Sequence, residues 1–463
     1  MGLLAAGARA PRAGLGATRR RPTRSFGQPA WIKSVLRQGS AESETALGRA
    51  GPLPLEREVL VQTASASGED HAVCLVTQCS LDRLPQLRAQ LVAWEGEVSA
   101  AVYVDAPARS AAAAEARAAV WACCEAASAS RAGRALTEAG GPPWTVTLLH
   151  RLEDAEVRCP EYDRLYPVNA LRNAALAAAR AELVLLLDVD FVPSAGLYPA
   201  LAGSPGLLRE ALGGGSGPLR GPARALVVPA FEVHGGRGRA RALARSGDAV
   251  RAACRAGEAE GFHVSHFPRG HSATDFERWL RGPALGADVC GPAGRLSSRS
   301  HGVDGYRAAY EEYFEPYVVA ARRLVPAYDE RFRGYGLNKI SHLYEMSARG
   351  FEFYVAEHPD AFVVAEEHPK SSSWSSVYGT GVSFQPRARI AVHYSRFKAE
   401  LQQQLSRESS AKGPTPGAGL LEQAEESALG RANGVKGRAA CIDAASTEAS
   451  GSDSDGTCAS AAA

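Results

Sequence analysis

The chain has 463 residues, 45% of them hydrophobic, and carries 52 basic against 50 acidic side chains. That length suffices for one large or two modest domains, and the balanced charge leaves no basic footprint for nucleic acid. No apolar run approaches the roughly 20 residues that span a bilayer, and the nine cysteines show no CxxC pair or repeated spacing that would hold zinc.

Residues 1–40 contain no Asp or Glu but eight basic residues, among them Arg19, Arg20 and Arg21. With their Ala, Gly and Ser content they have the composition of an organellar transit peptide, a disordered basic tail being the alternative. The folded region is expected over about 68–405, with 1–67 outside it. "HAVCLVTQ" (71–78) predicts a first strand. "LDRLPQLRAQLVAW" (81–94) puts Leu81, Leu84, Leu87, Leu91 and Trp94 on one helical stripe. "VSAAVYVD" (98–105) and "WTVTLLH" (144–150) are the next two strands. "PVNALRNAALAAARA" (167–181) predicts a helix with Pro167 in its first turn. "LVLLLDVD" (183–190) is a fourth strand, and "ALVVPAFEV" (225–233) follows before a mixed C-terminal half. Strands alternating with helices predict an α/β fold with a mostly parallel sheet flanked by helices. From about 406 the chain is polar and low in complexity, with too few apolar residues for a core, and is expected to be disordered.

The fourth strand raises the chemical question, because Leu183–Leu187 runs without a break into Asp188 and Asp190. Such a run suits a central strand buried on both faces, and ligands in open α/β sheets gather beyond the carboxyl ends of the strands. Residues i and i+2 point to the same side of a strand, with Cα atoms about 6–7 Å apart. Two carboxylates so placed can share Mn²⁺ or Mg²⁺, which removes their repulsion. Ordinary acids capping a solvated strand end are the bland alternative; the apolar run before the pair and Phe-Val-Pro after it favour the metal site. Two enzyme classes place Asp-x-Asp after an apolar strand. In GT-A glycosyltransferases the acids hold a metal against the diphosphate of a nucleotide sugar. In phosphatases of the haloacid dehalogenase type the first Asp attacks phosphorus. "DVDFV" satisfies both patterns, but the phosphatase motif opens its domain, whereas three strands precede it here and no later acidic pair completes a Mg²⁺ site. The transferase is favoured.

With "YPVNALRN" directly before that strand, and with "LVTQCSLDRLPQL", "VVPAFEV", "GHSATDFERW", "FEPYVV", "YDERFRGYGLNKISHLYE" and "HPDAFVV" in order around it, the chain resembles glycosyltransferase family 49 over about 70–400. The resemblance implies a GT-A fold, dependence on Mn²⁺ (or Mg²⁺), a UDP-sugar donor with glucuronate as the nearest suggestion, a glycan or glycoprotein acceptor, and inversion at the anomeric carbon. It implies the Golgi lumen, whereas the acid-free N-terminus suggests a plastid or mitochondrion.

Within that frame Thr77 and Gln78, at a strand end, are candidates to contact the base or ribose, a simple turn being the alternative. Asn169, Arg172 and Asn173 share one helical face, where Arg172 suits a phosphate or uronate; a solvated polar stripe is the alternative. Phe276 and Trp279 are placed against a sugar ring or, more commonly, in the core. An inverting transfer needs a general base for the acceptor hydroxyl. Several other GT-A transferases follow a Gly-aromatic-Gly turn with an acidic pair, but "GYGLNK" puts Asn338 and Lys339 there. The base is therefore sought at Asp275 or Asp329, with Glu330 and Glu232 behind them; helix capping or pairing with Arg331, Arg333 or Lys339 is the competing role. The family's His-x-x-His-type stretch corresponds to "AFVVAEEHPKS", where Ala365 departs and His368 matches, implying His368 as a third metal ligand beside Asp188 and Asp190. The departures at Ala365 and "GLNK" keep a catalytically inactive carbohydrate-binding relative as an alternative.

Overall fold

The computed structural model describes residues 53–63, 72–132, 143–152, 295–296, 305–365 and 385–411, most of 162–282 and a few between 374 and 382. The first half alternates as expected: β1 (Leu55–Gln62), β2 (Val73–Ser80), α1 (Leu84–Ala93), β3 (Glu97–Val104), α2 (Ala111–Ala132), β4 (Trp144–Arg151), α3 (Val168–Ala178) and β5 (Leu183–Leu186). Strands β4, β3, β2 and β5 lie side by side and parallel, with β1 antiparallel on the outer edge of β4. The two-residue period of β2 sorts its side chains. Val73, Leu75 and Cys79 face α1 and α2, where Leu87, Leu91, Val120 and Cys124 are buried with them. Cys74 and Val76 face α3, against Leu171 and Ala175. Strand β1 lies ahead of the expected limit at residue 68. Glu56 and Arg57 are exposed on it while Leu55 and Leu60 are half-buried and Val61 is buried, which suits an edge strand.

The second half comprises β6 (Phe191–Pro193), β7 (Arg224–Val228), β8 (Ala230–Val233), β9 (Ala259–Gly261), α4 (Phe276–Arg281), β10 (Arg295–Leu296), β11 (Gly305–Ala308), β12 (Tyr317–Ala321), α5 (Asn338–Ala348), β13 (Glu352–Ala356), β14 (Val363–Ala365) and α6 (Gln385–Ala411). These complete a ten-stranded mixed sheet, β1-β4-β3-β2-β5-β12-β7-β13-β11-β10, and build a four-stranded sheet, β6-β14-β8-β9. Strand β12 is antiparallel to both β5 and β7, with Val318 opposite Leu186, so the start of β12 meets the end of β5. Three parallel strands of the large sheet are each followed in the chain by a strand of the small one: β5 by β6, β7 by β8 and, after residues 357–362, β13 by β14. The segment "ALVVPAFEV" (225–233) is divided at Pro229, which has no N–H for a ladder; β7 and β8 on either side of it belong to different sheets.

Residues through Gln403 form one compact unit, and the end of α6 belongs to a second. No helix among the described residues is long and apolar enough to cross a membrane. Cys74, Cys79, Cys123, Cys124 and Cys254 carry free thiols.

Candidate active site

The fourth strand ends at Leu186, four residues earlier than the sequence pattern suggests. Asp188 and Asp190 therefore sit in a turn between β5 and β6, and the same-face rule for strands does not govern them. The turn is closed by the Phe191 N–H donating to the Asp188 carbonyl at 3.2 Å. It is also held from α1: fully buried Gln90 donates from Nε2 to the carbonyls of both Asp188 and Phe191, each at 2.8 Å. A Gln on the buried stripe of a helix requires such partners, which is the signal the leucine pattern obscured.

The Asp188 carboxylate is engaged on both oxygens. Arg172 donates to Oδ1 at 2.8 Å, Tyr317 donates to Oδ2 at 3.1 Å, and the Lys339 ammonium stands 3.5 Å from Oδ2. Burial by itself would raise this carboxyl, but Arg172 and Lys339 together hold it well below the usual carboxylate range. Arg172 is fixed in turn by the side-chain oxygens of Asn338 at 2.7 Å and Asn169 at 3.1 Å. Asn338 and Lys339 open α5, and the chain reaches them through three residues with positive φ, Gly334, Gly336 and Leu337. Asp190 points to Arg83, whose Nη1 is 3.4 Å from its Oδ1, and 28% of its side chain is exposed.

Thr77, Gln78, Arg172, Asp188, Tyr317 and Lys339 line one pocket. Two of them, Thr77 and Gln78, lie within β2, which runs on to Ser80, two residues past the strand end expected at Gln78. The Thr77 hydroxyl is buried without a partner, whereas Gln78 accepts a hydrogen bond from Tyr166. Asn169 and Asn173 serve differently from Arg172. Asn169 donates to the Asp329 carbonyl at 2.8 Å, and Asn173 brackets the backbone of Tyr328 and the carboxylate of Glu330. They fasten the 328–330 loop to α3.

The two preferred bases have structural partners. Asp275 caps α4, accepting the Arg278 N–H at 2.8 Å. Asp329 is forked by Arg331, with Nη2 at 2.6 Å. Neither joins the residues around Asp188. Trp279 packs in the core against Phe231 and Phe362, with Phe276 beside them. Glu232 accepts the His263 N–H at 3.1 Å and, with Glu260 and His266, forms a group whose ligand atoms lie within 4.8 Å of one another. His368 falls outside the described residues. The last residue of β14, Ala365, pairs with Phe191, immediately after the Asp188–Asp190 turn.

Glu315 and Lys339 were not singled out as functional residues by their local sequence. Glu315 precedes β12, and its carboxyl is raised by burial, with Lys339 opposing and Asp188 reinforcing the shift. Its only local signal was an acid standing just ahead of the apolar run in "FEPYVV". The donor set at the turn, hard carboxylate oxygens with Asp190 partly open, suits Mn²⁺ or Mg²⁺.

The family model described as a glycosyl-transferase for dystroglycan, family 49, matches residues 72–136 and 143–379. The chain is 33% identical over 351 residues to the xylosyl- and glucuronyltransferase LARGE2 of Homo sapiens, which covers 74% of this chain and 38% of that protein. It is 29% identical over 335 residues to LARGE1 of Danio rerio, covering 72% and 35% respectively. The chain thus spans little more than a third of the length of these curated relatives. The matched residues take in β2, the Asp188–Asp190 turn, β12 and the start of α5, so the strands and side chains that build the pocket lie inside the match: the chain belongs to glycosyltransferase family 49.

Proposed function

We propose that this chain is a metal-dependent inverting glycosyltransferase that moves a sugar, glucuronate in the first instance, from a UDP-sugar to a hydroxyl of a glycan acceptor. The observation that carries the proposal is the pairing of two fixed cations, Arg172 and Lys339, with Asp188, two positions before the partly exposed Asp190. Cations held at the end of the central strands suit an anionic diphosphate, and their mutual placement costs nothing when the ligand arrives. Thr77 would meet the nucleoside with its unpartnered hydroxyl. Arg172 and Lys339 would face the phosphates, and Tyr317 would hold Asp188 in register. Asp190, with Asp188 behind it and His368 by family position, would hold the divalent ion. When bound, that ion neutralises charge on the departing diphosphate.

A phosphatase reading fits less well, because the phosphatase motif opens its domain, whereas four strands, β1 to β4, precede the Asp188–Asp190 turn. The Golgi lumen is the compartment this assignment implies; colocalisation with a Golgi marker would check it. The enzymatic test is incubation of the purified chain with a panel of UDP-sugars, Mn²⁺ and glycan acceptors, measuring free UDP. Acceptor-dependent UDP release that stops on chelation is expected. Release that continues in chelator removes the metal from the proposal, and absence of release with every donor removes the transferase.

A further inference from the structure

We propose that Glu315 is the carboxylate that takes the proton from the attacking acceptor hydroxyl. The inference rests on the transferase assignment above and names the base that assignment requires.

Topology puts Glu315 at the site. Because β12 runs antiparallel to β5, the residues entering β12 arrive where β5 ends, beside Asp188. The Glu315 backbone is pinned by its N–H donating to the Gly270 carbonyl at 2.8 Å. Its Oε2 lies 4.0 Å from the Lys339 ammonium, and the same nitrogen lies 3.5 Å from Asp188 Oδ2. One cation therefore separates the carboxylate of the metal-binding motif from a second carboxylate. Gly270 lets the backbone pass close to that second carboxylate, since a Cβ there would stand 3.2 Å from Glu315 Oε1 and 2.8 Å from Phe267 Cδ1. The side chain is 19% exposed, so it is mostly desolvated yet still reached by solvent.

The contrast with the other acids near the cleft decides the assignment. Asp275 is committed to a helix N-terminus, Asp329 to an arginine fork, Glu330 to Asn173 and Glu232 to a backbone N–H. Among the described residues the Glu315 carboxylate has the Lys339 ion pair and no hydrogen-bond donor, leaving its lone pairs to accept from a hydroxyl. Burial raises its proton affinity, which makes it a better acceptor, while the Lys339 charge opposes that shift. In the step itself the acceptor O–H bond breaks and its oxygen bonds to the anomeric carbon. The bond from that carbon to the diphosphate oxygen breaks with its electron pair going to the leaving UDP, and the proton passes to Glu315. The exposed face of the carboxylate then returns the proton to water.

The test compares the full-length wild-type chain with Glu315→Gln and Glu315→Asp, using Mn²⁺ and the donor and acceptor found active in the panel. Glu315→Gln is expected to lower kcat by about 10²- to 10⁴-fold. Calorimetric binding of UDP with Mn²⁺ should stay within about threefold of wild type, because the interaction removed is one made in the transition state. Glu315→Asp, which retains a carboxylate, should recover part of the lost rate. Wild-type-like turnover in Glu315→Gln overturns the proposal, as does loss of UDP binding in step with kcat or an Asp variant no faster than the Gln variant. If the wild-type chain itself releases no UDP, the transferase assignment fails first and this inference falls with it; an active wild type beside an active Glu315→Gln sinks the inference alone.

Discussion

The two sheets treat their acids in opposite ways. At the end of β5 in the large sheet, Asp188 is set against Arg172, Lys339 and the Tyr317 hydroxyl, and the cations hold it ionised. On β8 and β9 of the small sheet, Glu232 and Glu260 stand directly opposite each other. Glu232 has a backbone N–H from His263, while burial and its neighbour Glu260 raise its carboxyl. The difference teaches that acidity alone does not mark the site. The large-sheet acid belongs to an array whose positive members are fixed before any ligand binds. The small-sheet acids face one another with only a backbone N–H on Glu232, the Ser265 hydroxyl on Glu260 and nearby histidines, and no fixed Arg or Lys among the described residues.

Removing the large-sheet acid should break that contrast most severely. Asp188→Asn would leave Arg172 and Lys339 without their shared counter-charge, and about 3 kcal/mol of stability should be lost, the lower part of the range for a severed buried pair, since Asp188 is partly exposed. Chemical denaturation measures it. The folded-state carboxyl lies below its unfolded value of about 3.9, so this stabilisation is present above that value and disappears as pH falls into the strongly acid range. The variant should lack that part of the acid-unfolding profile. Asp190→Asn should do the reverse, leaving the fold intact and abolishing Mn²⁺-dependent UDP release; normal turnover in this variant would overturn the metal assignment.

Arg172→Lys keeps the charge but loses the fork that reaches Asp188, Asn169 and Asn338 together. Loss of about 1.5–3 kcal/mol of charged hydrogen bonding, or roughly 10- to 100-fold in UDP affinity, is expected by calorimetry. Gln90→Leu should cost about 1–3 kcal/mol by removing the donor shared by the Asp188 and Phe191 carbonyls, the first of which keeps the Phe191 N–H, with Mn²⁺–UDP binding weakened as the turn loosens. The smallest change is Glu232→Gln. Its raised carboxyl favours the fold at acid pH, and that contribution is lost as pH rises through its folded value. The amide should therefore raise the melting temperature slightly at neutral pH and flatten its pH dependence. A fall in melting temperature at neutral pH would show that the Glu232 charge is in fact supported.

Much of the architecture was legible because β2, β3, β4 and β5 are short apolar runs separated by turn or helix patterns. The acids after Leu187 were legible for the same reason, since polar residues at the end of a buried strand stand out. The turn at 187–190 was not legible: "FVP" reads as a continuation until the small sheet is known to claim it. Pro229 was visible, but the sheet change it marks was not. Glu315 and Lys339 were hidden because antiparallel insertion of β12 between β5 and β7, together with the kinked entry to α5, brings them to Asp188. Pairing order is a long-range property that no local pattern carries. The converse holds for Asp275 and Asp329, whose partners Arg278 and Arg331 lie within three residues; proximity in sequence had already offered them a role without chemistry.

The three places where the chain leaves the large sheet for the small one have a mechanical consequence. Strands β5, β7 and β13 run in the same direction and are followed in the chain by β6, β8 and β14. Covalent backbone rivets the two sheets together three times along one seam, and one rivet is the Asp188–Asp190 turn itself. Prising the sheets apart would pull on all three connections at once, so the motif should be among the last parts of the molecule to lose its shape on heating.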